Sequence, residues 1–278
     1  VELTNRFDRN HFTAADLRIG EAEIDGAASR VTPEVRAALQ TAHDRILAHH
    51  EKQKPEDHIY TDPIGVVLGT RWTPVDAVGI YVPGGLATYP SSVLMNAVPA
   101  RVAGVGRIAM VVPTPDGQVA APLLLAARIA GITEIYRIGG AQAVAALAYG
   151  TATIAPVDKI VGPGNAFVAA AKRQVFGKVG IDMIAGPSEV LVIADGSANA
   201  AWVAADLIAQ AEHGAGARSI LVTTEKGLAE AVADEVERQI ELLPNPANAR
   251  EGWDLHSAIV TVASLTDAAM LANRIAEI

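Results

Sequence analysis

Two Gly-Pro turns carry the densest chemical signal in this 278-residue sequence: Gly162-Pro163-Gly164-Asn165 and Gly186-Pro187-Ser188-Glu189. Each lies beside an apolar run. Such turns leave backbone N–H groups and small polar side chains at a strand end, where open α/β sheets bind ligands. Two Gly-Gly turns belong with them, Gly84-Gly85 after Gly79-Ile80-Tyr81-Val82-Pro83, and Gly139-Gly140 before Ala141-Gln142. A glycine turn that opens into a helix N-terminus suits an anion or the phosphates of a dinucleotide. None has the GxGxxG spacing of the usual dinucleotide fingerprint. Three of the turns carry one polar residue each: Tyr81, Gln142 and Asn165. Tyr81 offers a flat, polar-tipped ring able to stack on another. Gln142 falls in the first turn of a helix, and Asn165 is placed to cap the helix that starts at Ala166. Three equivalent turns converge on a shared cofactor edge; on the residues alone, an ordinary β-α loop or a helix cap explains each as well.

A second constellation is Ala209-Gln210-Ala211-Glu212-His213. Gln210 and His213 are three apart, so on a helix they share a face. An imidazole beside an amide oxygen suits a zinc ion, Zn2+, although Gln is a rare ligand. A His at a helix C-terminus is also favoured as a cation by the helix dipole, with no metal present. His43, His49 and His50 fall on a charged helical stretch and read as a solvated face.

The elements that position these residues follow from periodicity. Residues 1–57 are charged and helix-patterned, with Thr32-Pro33-Glu34 as a cap, an N1 proline and an early acid. From Ile64 onward, apolar runs (64–68, 77–82, 107–112, 134–138, 159–161) alternate with Ala-rich helical segments (91–103, 118–130, 141–149, 166–176). That order predicts a parallel sheet with right-handed crossovers. The pattern restarts after Pro187, with strands at 190–194, 219–223 and 258–262 and helices at 198–212, 225–242 and 265–275. Leu243-Pro244-Asn245-Pro246 reads as a loop. The predicted fold is α/β. An N-terminal helical segment (1–57) is followed by two Rossmann-like parallel-sheet domains, 58–186 and 187–278, the second apparently incomplete.

Composition narrows the function classes. Half of the residues are hydrophobic and the mean hydropathy is +0.26, as expected for buried parallel strands covered by helices. With no cysteine, disulfides, thiolate metal sites and cysteine nucleophiles are excluded. A net charge of −9 and the lack of a basic stripe argue against nucleic acid as a partner. No apolar stretch reaches membrane-spanning length without charge or proline, and no signal peptide is visible. A soluble, cytoplasmic protein is expected.

At the residues above the chain resembles the histidinol dehydrogenase family. The matching stretches are Asn5-Arg6-Phe7-Asp8, Gly79–Val105, Arg137–Thr151, Val157–Lys172, Gly180–Asp195 and Ala209–Gly214, in family order along nearly the whole chain. The resemblance implies a zinc- and NAD-dependent oxidation of an amino alcohol to the aldehyde and then the acid, with two NAD reduced in turn. This is the last part of histidine biosynthesis. It also implies a homodimer whose active site borrows residues from the partner. It assigns NAD contacts to Tyr81, Gln142 and Asn165, a substrate contact to Ser188, and zinc ligation to Gln210 and His213, where the zinc holds the substrate's imidazole and amine.

The match departs from the family at one place. In the family, the helix that here ends Ala272-Asn273-Arg274-Ile275 runs into a Glu-His pair that supplies the water activator and the general base. Here Ala276-Glu277-Ile278 follows, and His256 lies too early to be its equivalent. The catalytic pair is therefore not assigned to any residue of this chain, which by itself is expected not to oxidise histidinol. Two readings stand, a piece of a longer enzyme and a shortened, non-catalytic homologue; the start at Val1 and the stop short of the pair favour the first. A family relative acting on another small alcohol, such as a sulfonated diol, is the alternative enzyme.

Overall fold

The computed structural model describes residues 1–84, 89–184, 189–214 and 216–275. They fall into two compact units, Val1–Ala185 and Gly186–Ile278.

The first unit opens with α1 (Glu2–Asp8), the short strand β1 (Arg18–Ile19), α2 (Glu21–Ser29) and α3 (Pro33–Glu51). Thr32 caps α3 by accepting from the Val35 N–H, with Pro33 in the first turn. The N-terminal segment is not purely helical. β1 joins the edge of the main sheet antiparallel to β6, and Ile24, Ala27, Val31 and Leu39 are buried in that sheet's core.

Next comes an antiparallel hairpin, β2 (His58–Thr61) and β3 (Val67–Thr70). The sequence suggested a first parallel strand at 64–68. Instead Ile64 lies in the hairpin turn, because the Asp62 carboxylate accepts from the Ile64 and Val66 N–H groups and Gly65 takes a φ of 91°.

The parallel strands and helices then alternate: β4 (Ala77–Tyr81), α4 (Pro90–Ala103), β5 (Arg107–Val112), α5 (Ala121–Ile129), β6 (Glu134–Arg137), α6 (Gly140–Tyr149), β7 (Lys159–Val161), α7 (Ala166–Val175) and β8 (Gly180–Ile181). Among the described residues the sheet order is β1-β6-β5-β4-β7-β8. Numbered along the chain, the five parallel strands run 3-2-1-4-5, the doubly wound order with its switch point between β4 and β7.

Strand alternation sends the side chains to two cores. Val78, Ile80 and Val82 join the core on the α4 and α5 side. Ala77 and Tyr81 join the one on the α6 and α7 side. Gly79 lies between them, and a Cβ there would meet Leu147 of α6 at 2.8 Å, so the glycine lets α6 pack close. At the opposite, N-terminal edge Arg107 donates to both carboxylate oxygens of Glu134 (2.8 and 2.7 Å) and to the carbonyls of Ala155 and Pro156 (3.0 and 2.9 Å). Burial raises the Glu134 carboxyl. The hydrogen bonds from Arg107 and Tyr136 and the charge of Arg107 outweigh it, and the group titrates below its ordinary range.

The second unit holds β9 (Glu189–Ala194), α8 (Ala200–Ala211), β10 (Arg218–Thr223), α9 (Lys226–Glu241), α10 (Pro246–His256), β11 (Ala258–Thr261) and α11 (Leu265–Ile275). Its strands are parallel in the order β11-β10-β9, the first half of a doubly wound sheet. The stretch read as a loop at 243–246 runs straight into α10, with Pro246 in its first turn. No helix among the described residues is long and apolar enough to cross a membrane.

Candidate functional site

The site grows from the switch point of the first sheet. Tyr81 ends β4, and Gly162 follows β7 with a φ of 109°. A Cβ on Gly162 would stand 2.1 Å from the Tyr81 carbonyl oxygen, so only glycine lets the two strand ends meet. The Tyr81 side chain does not lie on the surface as a stacking platform. The residue is 3% exposed, with the ring packed in the core. Its hydroxyl accepts from the Gly140 N–H at 3.0 Å and so fixes the start of α6. Burial pushes the phenol above its usual range, against the Gly140 hydrogen bond, and it keeps its proton at neutral pH.

The other two turn residues lie on neighbouring loops of the same edge. Asn165 is exposed, and its side-chain oxygen accepts from the Phe167 and Val168 N–H groups, both at 3.1 Å, as the cap of α7. Gln142 is half-buried in the first turn of α6. Its Oε1 would stand 2.9 Å from a Cβ on Gly140, whose φ is 64°. α6 itself begins at Gly139 without a side-chain cap. The loops after β4, β5 and β6 touch through glycines. A Cβ on Gly84 would meet the Pro113 carbonyl oxygen at 2.4 Å, and one on Gly139 would meet the Pro113 side chain at 2.4 Å.

Over the ends of β4 and β5 lies a cavity of about 650 Å³ with Pro83, Gly84, Pro113, Gln118 and Arg9 in its wall. That volume is typical of a small-ligand site. Arg9 arrives from the end of α1, which is stitched to the loop after β5. Asp8 accepts from the Thr114 N–H and Asn10 donates to the Thr114 carbonyl, both at 3.0 Å. Arg9 forks onto Asp116 at 2.8 and 2.6 Å. Among the described residues these two are the non-glycine residues with positive φ, both 54°. Backbone strain of this kind gathers at functional sites. An apolar cavity with polar groups at its rim, beside an uncapped helix N-terminus and a glycine turn, fits a dinucleotide.

The candidate residues of the second unit occupy a different kind of edge. A helix that follows a parallel strand runs back along the sheet, so α8 ends beside the N-terminal ends of the strands rather than the C-terminal ends. Gln210 is buried in the last turn of α8. His213 is exposed in the turn beyond it, where its N–H donates to the Gln210 carbonyl at 3.1 Å. The helix stops at Ala211 because the Glu212, His213 and Gly214 N–H groups fold back onto its last carbonyls. A continuous helical face through Gln210 and His213 is therefore not what relates them. Ser188 lies outside the described residues. No group of three or more His, Cys, Asp or Glu among the described residues is placed to hold a metal ion. One amide oxygen and one imidazole fall short of the three or four protein ligands of a zinc site, so the described residues alone do not form one.

Reasoning from the sequence missed Lys172 and Asp182, an ion pair under the Gly162 turn in which the lysine is buried and the aspartate reaches solvent. A lysine midway through an Ala-rich helix, on the face of Val168 and Val175, was the available signal, since lysine is buried only when paired.

Comparison with known proteins decides the family. A model described as Histidinol dehydrogenase matches residues 1–277. The chain belongs to the histidinol dehydrogenase family. It is 61% identical to a histidinol dehydrogenase of Rhizobium meliloti (strain 1021) over 276 residues, 99% of this chain and 64% of that protein. Identity to the histidinol dehydrogenase of Agrobacterium fabrum is 63%, with the same coverage. The crystal structure of histidinol dehydrogenase from Elizabethkingia anophelis superposes with a TM-score of 0.89 at 39% identity, again over 99% of this chain and 64% of that one. The chain thus spans 64% of the length of these histidinol dehydrogenases. A propionaldehyde dehydrogenase from Clostridium phytofermentans shares the fold alone, with a TM-score of 0.51 at 12% identity.

Proposed function

We propose that the first unit is the NAD-binding part of a histidinol dehydrogenase, and that a protein carrying this chain together with the remaining length of its relatives oxidises L-histidinol to L-histidine in the last steps of histidine biosynthesis. The observation that carries this reading is the junction at the switch point. There Tyr81, the Gly139–Gly140 turn and Gly162 meet at one sheet edge, beside an apolar cavity of about 650 Å³. NAD, when bound, accepts the hydride of each oxidation. The chain's own residues shape its seat. Tyr81 holds the start of α6 through Gly140, Gln142 presents an amide at that start, and Asn165 sets the direction of α7 at the neighbouring strand. With no GxGxxG loop, fewer backbone donors reach a pyrophosphate, so weak binding is expected, with no cofactor retained after extensive dialysis of the purified protein.

Gln210 and His213 are proposed as part of a zinc site. Two donors leave a zinc shell open, so the remaining ligands come from other residues. The homodimer with a shared active site is likewise a proposal, supported by the family relationship. The test of the activity is NADH formation, with NAD and zinc supplied, on L-histidinol and on a small sulfonated diol, by a protein that carries this chain together with the remaining length of its relatives; the 278-residue chain by itself should form none. Preference for histidinol supports the reading. Preference for the diol would move the protein to a different substrate class within the family.

A further inference from the structure

We propose that the buried Lys172 and the solvent-accessible Asp182 form a clamp that holds the Gly162–Asn165 turn in its cofactor-binding shape. Lys172 lies in the last turns of α7, and its residue is 2% exposed. Its ammonium group donates to the Gly162 carbonyl at 3.0 Å and pairs with the Asp182 carboxylate. The same carboxylate accepts from the Gly162 N–H at 2.8 Å and from the Met183 N–H at 2.7 Å. Both main-chain polar groups of Gly162 are thereby held by one ion pair.

The clamp sits where the backbone can no longer hold itself. The ladder between β7 and β8 ends at Ile160 opposite Ile181, followed by one bond from the Asp182 N–H to the Ile160 carbonyl at 3.2 Å. Beyond that, Gly162 carries a φ of 109° and Pro163 has no N–H to donate. Side chains replace the missing ladder at the residue that faces the Tyr81 carbonyl. Lys172 is not a phosphate ligand. It is buried and its charge is neutralised by Asp182, so its effect on a cofactor passes through the turn. An ion pair with one buried partner is weak evidence of net stability, and the role assigned to this one is to specify a single geometry. The clamp is therefore a positioning device, and it rests on the reading of this edge as the NAD site.

The test uses Lys172→Met, which keeps the length and apolar stem of the side chain, with Lys178→Met at an exposed lysine as control. Amide hydrogen exchange of Gly162, Gly164 and Asn165 reads the turn, and NADH titration of the same chain reads the site. The expected result is faster exchange at these three amides in Lys172→Met, with Ile80 and Met110 unchanged. NADH affinity is expected to fall about tenfold, while Lys178→Met behaves like the parent. If Lys172→Met does not fold, Lys172→Gln carries the test, since it keeps one donor for the Gly162 carbonyl and should give an intermediate effect. Unchanged exchange at the turn overturns the clamp whatever NADH does. Faster exchange with undiminished NADH affinity overturns its role in positioning cofactor. Failure of the parent chain to bind NADH, with a clear exchange response, would sink the dinucleotide reading while leaving the clamp as a structural element.

Discussion

Gly162→Ala is the sharpest structural perturbation, because a second glycine supplies its control. Gly162 and Gly177 both have positive φ, 109° and 97°. An alanine at either pays for a backbone region that L-residues avoid, about 1–2 kcal/mol. At Gly177 nothing lies within 4 Å of the added Cβ, so that cost is the whole effect. At Gly162 the Cβ would stand 2.1 Å from the Tyr81 carbonyl oxygen and 3.1 Å from its carbonyl carbon. Ordinary contact needs more than 3 Å, so β4 and β7 must part by about 1 Å at the switch point, in an interior packed as tightly as an organic crystal. Overpacking of this kind adds about 1–3 kcal/mol. The expected totals are about 1–2 kcal/mol for Gly177→Ala and about 2–5 kcal/mol for Gly162→Ala. For a unit of this size the overpacking alone separates the two melting temperatures by about 2–12 °C. The assay is thermal and urea unfolding of both variants beside the parent. Equal destabilisation would show that the two strand ends are not in contact and that the junction has been misplaced.

Three other perturbations have defined outcomes. Asn165→Ala removes the acceptor of two N–H groups at the start of α7 and should cost about 1 kcal/mol, with faster amide exchange confined to the first turn of that helix. Glu134→Gln tests the pH dependence. Because the folded carboxyl titrates below its ordinary value near 4.5, its stabilisation is present above that value and is lost as pH falls through the lower folded value. The variant should therefore be less stable than the parent at neutral pH, with the gap closing in acid; a gap independent of pH would refute the Arg107 pairing as its source. In a protein that carries this chain together with the remaining length of its relatives, His213→Asn should lower the zinc content, read by metal analysis after dialysis, since an amide does not replace an imidazole nitrogen; undiminished zinc would remove His213 from the ligand set.

The sequence and the structure agree most closely where the backbone rules are local. Apolar runs such as Arg107–Val112, set between Ala-rich helices, spell out the doubly wound order directly, because each parallel strand is buried on both faces. The glycine turns were visible for the same reason, as only glycine tolerates Gly162's φ and its approach to Tyr81. The hairpin at 58–70 was missed because its turn is built by one side chain, Asp62, and not by a glycine pair. α10 was missed because Pro246 looked like loop punctuation, although proline is equally at home in the first turn of a helix. Tyr81's inward placement is a feature that periodicity carries only in part. Strand alternation turns its ring inward, and its hydroxyl finds the Gly140 N–H 59 residues later in the chain. Lys172 could be suspected from its place on the apolar face of α7, but Asp182 could not, because the buried charge is explained only by a partner on a different element. The second unit's candidates depend on which end of the sheet α8 reaches. Three-residue spacing cannot say that, whereas strand direction can.

The proposed seat of NAD on the C-terminal edge of the first sheet is open to chemical-shift mapping. The isotope-labelled 278-residue chain, titrated with NADH, should show saturable, fast-exchange shifts clustered at Gly84, Gly140, Gln142, Gly164 and Asn165. The amides of Ala155 and Gly180 at the opposite edge should stay still. Saturable shifts concentrated at that opposite edge, or spread through the second unit with the switch-point amides unmoved, would mean that the switch point does not seat the cofactor.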